Sequence, residues 1–194
     1  APELLRRLEK CDVLAVGPGL GRSAGVTALV GALLEASRVP TVLDADALWA
    51  LSRAPELLER AACPLVLTPH AREFERLGGD LSAPREEAAL RFAREHGCAL
   101  VLKGRGTVCA FPDGECYVNP TGNPGMARGG SGDVLTGLMG ALLCQLPFRR
   151  AVCAAVYLHG LAGDMCAAEL GEYGMTPTDM IERLPQAMRS VTEG

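Results

Sequence analysis

The chain has 194 residues, 48% of them hydrophobic, 22% charged and 4% aromatic, a balance that excludes an intrinsically disordered chain and implies an aliphatic core. Its 19 basic and 23 acidic residues leave a net charge of −4; with no Lys/Arg cluster to neutralise a run of phosphates, a nucleic-acid partner is not expected. The longest uncharged stretches, Val134 to Phe148 and Ala151 to Gly163, fall short of the ~18 residues of a spanning helix, so no membrane span is expected.

In chain order, the first apolar run, V-L-A-V at Val13, is followed by Gly25 to Ser37. There Val26, Leu29, Val30, Leu33 and Leu34 recur every three or four residues, as on one helical face. T-V-L at Thr41 and L-V-L-T at Leu65 repeat the strand pattern. A further helix is expected to start at a Ser82 cap, before Pro84, Glu86 and Glu87, and to end at Gly97, with A-L-V-L at Ala99 following directly. Apolar runs alternating with helical segments predict a parallel α/β sheet with helices on both faces. T-V-C-A-F and E-C-Y-V-N, joined by P-D-G between Thr107 and Asn119, predict a β-hairpin that extends it. The remainder is expected to be helical: Asp133 to Gln145, Phe148 to about Leu170, and a last helix capped by Thr176, Pro177 and Asp179. No repeat or linker divides the 194 residues, which are expected to form one domain.

None of the eight cysteines forms a C-x-x-C pair. Cys109 and Cys153 lie in apolar runs, which favours reduced core thiols; a Cys109–Cys116 disulfide across the hairpin is the alternative. No charged-then-apolar leader opens the chain, and a cytoplasmic protein is expected.

Five loops carry residues suited to chemistry. G-P-G-L-G, Gly17 to Gly21, lies between a strand and a helix. It reads either as a structural turn or, with Gly19, Gly21, Ala24 and Asp44, as a dinucleotide-binding fingerprint. D-A-D, Asp44 to Asp46, ends the next strand: two carboxylates at the carboxyl edge of a sheet could hold Mg2+ or orient a hydroxyl, or Asp46 could cap the helix through Trp49. In T-P-H-x-x-E, His70 could donate to a substrate and Glu73 hold a metal-bound water; alternatively Thr68 caps a helix with Pro69 at its first position. K-G-R-G-T, Lys103 to Thr107, could bring an ammonium and backbone N–H groups onto phosphates, or be a flexible turn.

The longest motif is G-N-P-G-M-A-R-G-G-S-G-D, Gly122 to Asp133, opening an apolar helix. Its glycines expose N–H groups at a helix N-terminus, an anion hole in which Asp133 would repel a phosphate; the motif reads either as that or as a glycine loop whose Asp133 only caps the helix. A base that deprotonates a hydroxyl attacking the bound phosphate gives that carboxylate a role. His159 is expected in a buried helix interface and His96 in a helix's last turn.

Taken in order, G-P-G-L-G, D-A-D-A-L, T-P-H-x-x-E-F, K-G-x-x-T and G-N-P-G-M-A-x-G-G-S-G-D-V-L-T-G resemble the NAD(P)H-hydrate dehydratase family of the ribokinase-like superfamily. The resemblance implies a three-layer sandwich and a nucleotide-driven dehydration of (S)-NAD(P)H-hydrate (NADHX and NADPHX) to NAD(P)H. In that reaction the hydrate hydroxyl is phosphorylated and phosphate is then eliminated. It further implies Asp133 as the base, Gly130, Ser131 and Gly132 as the anion hole, and Lys103, Gly104, Arg105, Gly106, Thr107 and Gly132 as nucleotide contacts. Gly19, His70 and Asp133 would contact the hydrated dinucleotide, and Glu73 a Mg2+. The bacterial form of the long motif is associated with ADP rather than ATP as donor, and the family with a homotetramer. Arg128 stands where that form has Thr, putting a guanidinium beside the anion hole. The family also has a glycine- and alanine-rich segment before the position of Ala1, so a domain lacking that segment is expected. Three other functions remain open: a kinase of the same superfamily acting on a vitamin-precursor alcohol, an oxidoreductase using Gly19, Gly21 and Asp44, and a nucleotide-binding remnant without turnover.

Overall fold

The computed structural model describes residues 2–192. In chain order it comprises α1 (Pro2–Leu8), β1 (Leu14–Val16), α2 (Ala24–Ala36), β2 (Thr41–Leu43) and α3 (Ala45–Arg53). β3 (Leu65–Leu67), α4 (Ala71–Arg76), α5 (Arg85–His96) and β4 (Ala99–Leu102) follow. β5 (Val108–Ala110), β6 (Cys116–Val118), α6 (Ser131–Leu143), α7 (Phe148–Gly174) and α8 (Pro177–Thr192) complete it, with 3-10 turns at Pro55–Arg60 and Pro124–Met126.

The six strands lie in sequence order, β1 to β4 parallel and β4–β5 and β5–β6 antiparallel. This is the expected parallel sheet with its hairpin extension. Side chains alternate between the two faces because the strand period is two. Leu43, Leu65, Leu67, Leu100, Leu102, Val108 and Ala110 enter one apolar cluster with residues of α2, α3 and α5. Val42, Val66, Ala99, Val101 and Cys109 enter a second cluster with α6 and α7. Two helical layers thus enclose the sheet, and strands buried on both faces explain the continuous apolar runs. α7 is the one helix among the described residues long and apolar enough to cross a membrane. Its apolarity has a different account: 56% of its most apolar window is buried, and Ala151, Val152, Ala155 and Val156 form part of the second cluster.

Helix starts are where sequence and structure part. Ser82 does not cap α5; the residue before it is Pro84, and Ser82 instead donates its N–H to Asp80 in a turn of its own. Gly97 does end α5, in the left-handed conformation (φ 62°) that lets the chain re-enter the sheet. Neither Thr68 nor Pro69 starts α4: Thr68 is buried with its hydroxyl on the Leu43 carbonyl, and His70 takes the cap. α6 begins two residues early, at Ser131, because Gly130 turns left-handed (φ 94°) just before it. α7 runs past Leu170 only across a break at Gly171 (φ 74°, ψ 155°), close to the expected end. Helix α1 and the 3-10 turn at Pro55–Arg60 have no counterpart in the expectations.

All eight cysteines are free. In the hairpin Cys109 opposes Tyr117, and Cys116 opposes Ala110. With a period of two, Cys109 and Cys116 face opposite sides of the sheet, which excludes the disulfide considered from sequence.

Gly17, after β1, lies against the end of β2: a Cβ there would stand 1.7 Å from the Asp44 carbonyl oxygen, and its φ of +139° already disfavours any side chain. Gly17→Ala is therefore expected to lower unfolding stability by at least about 3 kcal/mol, read as a shifted urea midpoint. An unchanged midpoint would show that the two loops separate freely.

Candidate active site

The carboxyl ends of β1 to β4 bring four of the five loops to one edge, and α6 delivers the fifth. D-A-D splits its two carboxylates. Asp46 accepts from the Gly21 N–H (2.8 Å) and the Arg22 guanidinium (3.0 Å), tying down the first glycine loop. Asp46 therefore does not cap α3; Asp44 holds the cap position, without a side-chain bond to the helix. Asp44 is 1% exposed and points the other way, accepting from Lys103 Nζ (2.7 Å) and Thr136 Oγ1 (2.9 Å). The residue between them, Ala45, is the one non-glycine with positive φ (48°) among the described residues, and this strained turn is what sends the two carboxylates apart. The dinucleotide-fingerprint reading fails here. Asp44 is enclosed and doubly bonded, unavailable to a ribose, and the strand order is sequential rather than reversed about β1.

His70 and Lys103 are neighbours at the ends of β3 and β4, joined by a parallel bridge in which the Lys103 N–H donates to the Pro69 carbonyl (2.8 Å). His70 caps α4: its Nδ1 accepts from the Glu73 N–H (3.2 Å), while Glu73 Oε2 accepts from the His70 N–H (2.9 Å). The reciprocal box orients the imidazole, half of which is exposed. After Lys103, Gly104 (φ 152°) and Gly106 (φ 64°) turn the chain and Thr107 Oγ1 closes it on the Gly104 carbonyl (3.0 Å), leaving Arg105 exposed. Arg85 of α5 braces this turn by donating to the Leu102 carbonyl (2.8 Å).

The long loop lies flat on α7. Asp164 accepts from the Gly122 N–H (2.8 Å) and Asn123 Nδ2 (2.9 Å), and Asn119 donates to the Val156 carbonyl (3.3 Å). At Gly130 to Asp133 the chain turns into α6. The Ser131 N–H is taken by the Arg128 carbonyl (3.3 Å). The N–H groups of Gly129, Gly130, Gly132 and Asp133 have no acceptor among the described residues, leaving open donors of the kind that can receive an anion at a helix N-terminus. Ser131 is the exception within the expected anion hole. It is buried, with its hydroxyl 3.5 Å from His159 Nε2 and its carbonyl 2.9 Å from the same nitrogen. Asp133, in the first turn of α6, is exposed. Gly132 closes over the ion pair: a Cβ there would be 3.2 Å from Lys103 Nζ and 3.3 Å from Asp44 Oδ2.

Arg128 corrects a second expectation. Its guanidinium donates to the carbonyls of Tyr173 and Glu172 at the end of α7, so it closes that helix rather than standing in the anion hole.

A bound Mg2+ is implied by the family resemblance. Among the described residues no three His, Cys, Asp or Glu side chains come together to hold a metal ion, and Glu73 is engaged in the α4 cap. The residues do not fit a protein-held Mg2+.

Sequence reasoning places Asp44 in D-A-D and Thr136 at the end of the long motif but does not pair them with each other or with Lys103, and it misses Asp164 and Arg85. Asp164 carries one signal, a lone charge inside the apolar stretch of α7.

A mostly parallel sheet between two helical layers, with a glycine-rich helix start at its carboxyl edge, places the chain in the ribokinase-like class. An Enterococcus faecalis ribokinase-like superfamily protein superposes with a TM-score of 0.88 at 31% identity, over 100% of this chain and 68% of that one. The chain belongs to the NAD(P)H-hydrate dehydratase family, whose sequence pattern matches residues 1–186. It is 48% identical to the bifunctional NAD(P)H-hydrate repair enzyme of Moorella thermoacetica over 98% of its own length and 37% of that protein's. It is 38% identical to the ADP-dependent (S)-NAD(P)H-hydrate dehydratase of Bacillus subtilis, over 93% and 65%. A crystal structure of the B. subtilis ADP/ATP-dependent enzyme, co-crystallized with ATP/Mg2+, superposes with a TM-score of 0.82 over 92% of this chain and 64% of that one. The chain thus spans between a third and two thirds of the length of these curated relatives.

Burial lowers the His159 pKa from 6.5 to about 4, with the Lys103 charge adding to the effect and the Ser131 carbonyl opposing it. A depressed histidine contributes stability fully present above 6.5 and lost as pH falls from there toward 4, because only the unfolded chain binds the proton across that window. The loss is on the order of 3 kcal/mol. His159→Gln is expected to flatten the urea-midpoint-against-pH curve between those limits; an identical slope in wild type and variant would contradict a neutral buried imidazole.

Proposed function

We propose that this chain carries out the nucleotide-driven dehydration of (S)-NAD(P)H-hydrate to NAD(P)H, with ADP as the donor of choice. The observation that carries this is the start of α6, where four N–H groups without acceptors among the described residues lie beside the exposed Asp133 carboxylate. Such a site holds a transferring phosphoryl group in place and removes a proton beside it.

In this reading Gly129, Gly130 and Gly132 hold the terminal phosphoryl by their N–H groups, and Asp133 accepts the proton of the hydrate hydroxyl. The hydroxyl oxygen bonds to phosphorus while the bridging P–O bond breaks, releasing AMP. The new C–O–phosphate bond then breaks toward inorganic phosphate, the ring loses a proton, and a carbon–carbon double bond restores the dihydronicotinamide. Ser131 is proposed as part of the hole through its place in the turn, with its hydroxyl turned to His159. The braced turn of Lys103, Gly104, Arg105, Gly106 and Thr107, with Gly132, is proposed to hold the nucleotide, and Gly19 and His70 the hydrated dinucleotide. Mg2+ is proposed to arrive on the nucleotide phosphates, with Glu73 as the nearby carboxylate; it borders a small cavity with Arg22 and Ala45. The reading treats the 194 residues as one ribokinase-like domain, cytoplasmic and homotetrameric, on the strength of the family.

The test is recovery of NADH absorbance from NADHX with ADP, ATP or no nucleotide. Recovery only with nucleotide is expected, and Asp133→Asn should slow it at least ~100-fold while leaving nucleotide binding intact. Full turnover by Asp133→Asn would remove the base, and accumulation of a stable phosphorylated product would favour a kinase.

A further inference from the structure

We infer that Asp44 is a positioning residue that aims the Lys103 ammonium at the transferring phosphoryl group, an inference that rests on the reading of the α6 start as a phosphoryl site. Asp44 is buried and its two oxygens are separately engaged, Oδ1 by Lys103 Nζ at 2.7 Å and Oδ2 by Thr136 Oγ1 at 2.9 Å. Thr136 belongs to α6 itself, one turn below the open N–H groups, so the carboxylate fixes the ammonium relative to the helix that binds the anion. The missing side chain of Gly132 is where the pair meets the hole: both charged groups would touch a Cβ at that position.

Three further features favour a functional role over simple core pairing. Taking a carboxylate and an ammonium out of water is only partly offset by their attraction, so an apolar pair would stabilise the fold at least as well. The left-handed turn at Ala45 (φ 48°) directs Asp44 inward at a cost in backbone strain. Lys103 keeps 21% of its side chain exposed, whereas Asp44 keeps 2%.

The charges also set the anion's affinity. Asp44 repels an anion in the hole as Lys103 attracts it, so the pair presents a directed cation with little net charge. This favours an ammonium that follows charge developing on the phosphoryl oxygens, and disfavours tight retention of the phosphate product.

The variants are Asp44→Asn, which keeps the shape and the Thr136 contact, and Lys103→Met, which keeps the stem without the charge. Turnover at saturating substrates and binding of inorganic phosphate by calorimetry are read for each, with thermal melts to confirm folding. Asp44→Asn is expected to lower kcat at least tenfold, change the nucleotide KM less than threefold, and bind phosphate as tightly as wild type or more so. Lys103→Met is expected to lower kcat and weaken phosphate at least tenfold, and the double variant to be no slower than the worse single one. A residue that only supports the fold would lose kcat and phosphate binding together. That outcome, wild-type kcat in Asp44→Asn, or multiplying effects in the double variant overturns the inference. If wild type shows no NADHX repair, the dehydratase reading fails and the phosphate series alone decides: weaker binding in Lys103→Met with unchanged or tighter binding in Asp44→Asn supports the pair's role, and weaker binding in both, or unweakened binding in Lys103→Met, overturns it.

Discussion

The site depends on two close approaches of chain segments at the carboxyl edge of the sheet, each made at a glycine. The β1 loop touches the end of β2 at Gly17, and the start of α6 closes over the Asp44–Lys103 pair at Gly132. Each contact places backbone where a side chain would otherwise intervene. The result is a helix end whose open N–H groups lie beside an ion pair with a buried carboxylate, Asp44–Lys103.

The same edge shows how local hydrogen bonding fixes what the sheet alone leaves loose. The first loop is held by Asp46, the Lys103 turn by Thr107 and Arg85, and the long loop by Asp164. Thr107 closes its own turn, while Asp46, Arg85 and Asp164 come from α3, α5 and α7, so no loop can shift without breaking a bond to the packed scaffold. Arg128 extends this to the far end of α7, where its guanidinium takes up carbonyls left free after the break at Gly171. Catalytic geometry of this kind needs supports that are themselves packed, and they come from helices on both faces of the sheet.

The sheet was legible because strands buried on both faces must be apolar throughout: L-V-L at Leu65 and A-L-V-L at Ala99 admit few other readings. Glycine-rich loops were legible as well, since positive φ at Gly17, Gly19, Gly21 and Gly130 is a backbone demand that sequence records directly. Side-chain direction was not. Asp44 and Asp46 are two residues apart and look equivalent in D-A-D; only the turn at Ala45, set by tertiary packing, sends one inward and the other to the first loop. Helix starts failed for a related reason. Thr68 and Ser82 are good capping residues, yet a buried carbonyl of β2 claimed the first, and the second lies in the Asp80 turn ahead of α5.

Asp133 stands apart from this network. Asp44, Asp46 and Asp164 have both carboxylate oxygens engaged by protein donors and Glu73 has one, whereas Asp133, exposed in the first turn of α6, has no side-chain partner among the described residues. A carboxylate that served only the fold would be expected to bond N–H groups of its own helix start, as Asp179 does with Thr176 ahead of α8. Asp133 leaves those groups open instead. An acceptor kept free beside donors kept free, on a scaffold where the other acids of the edge are engaged, is the arrangement that a hydroxyl and a phosphoryl group can complete together.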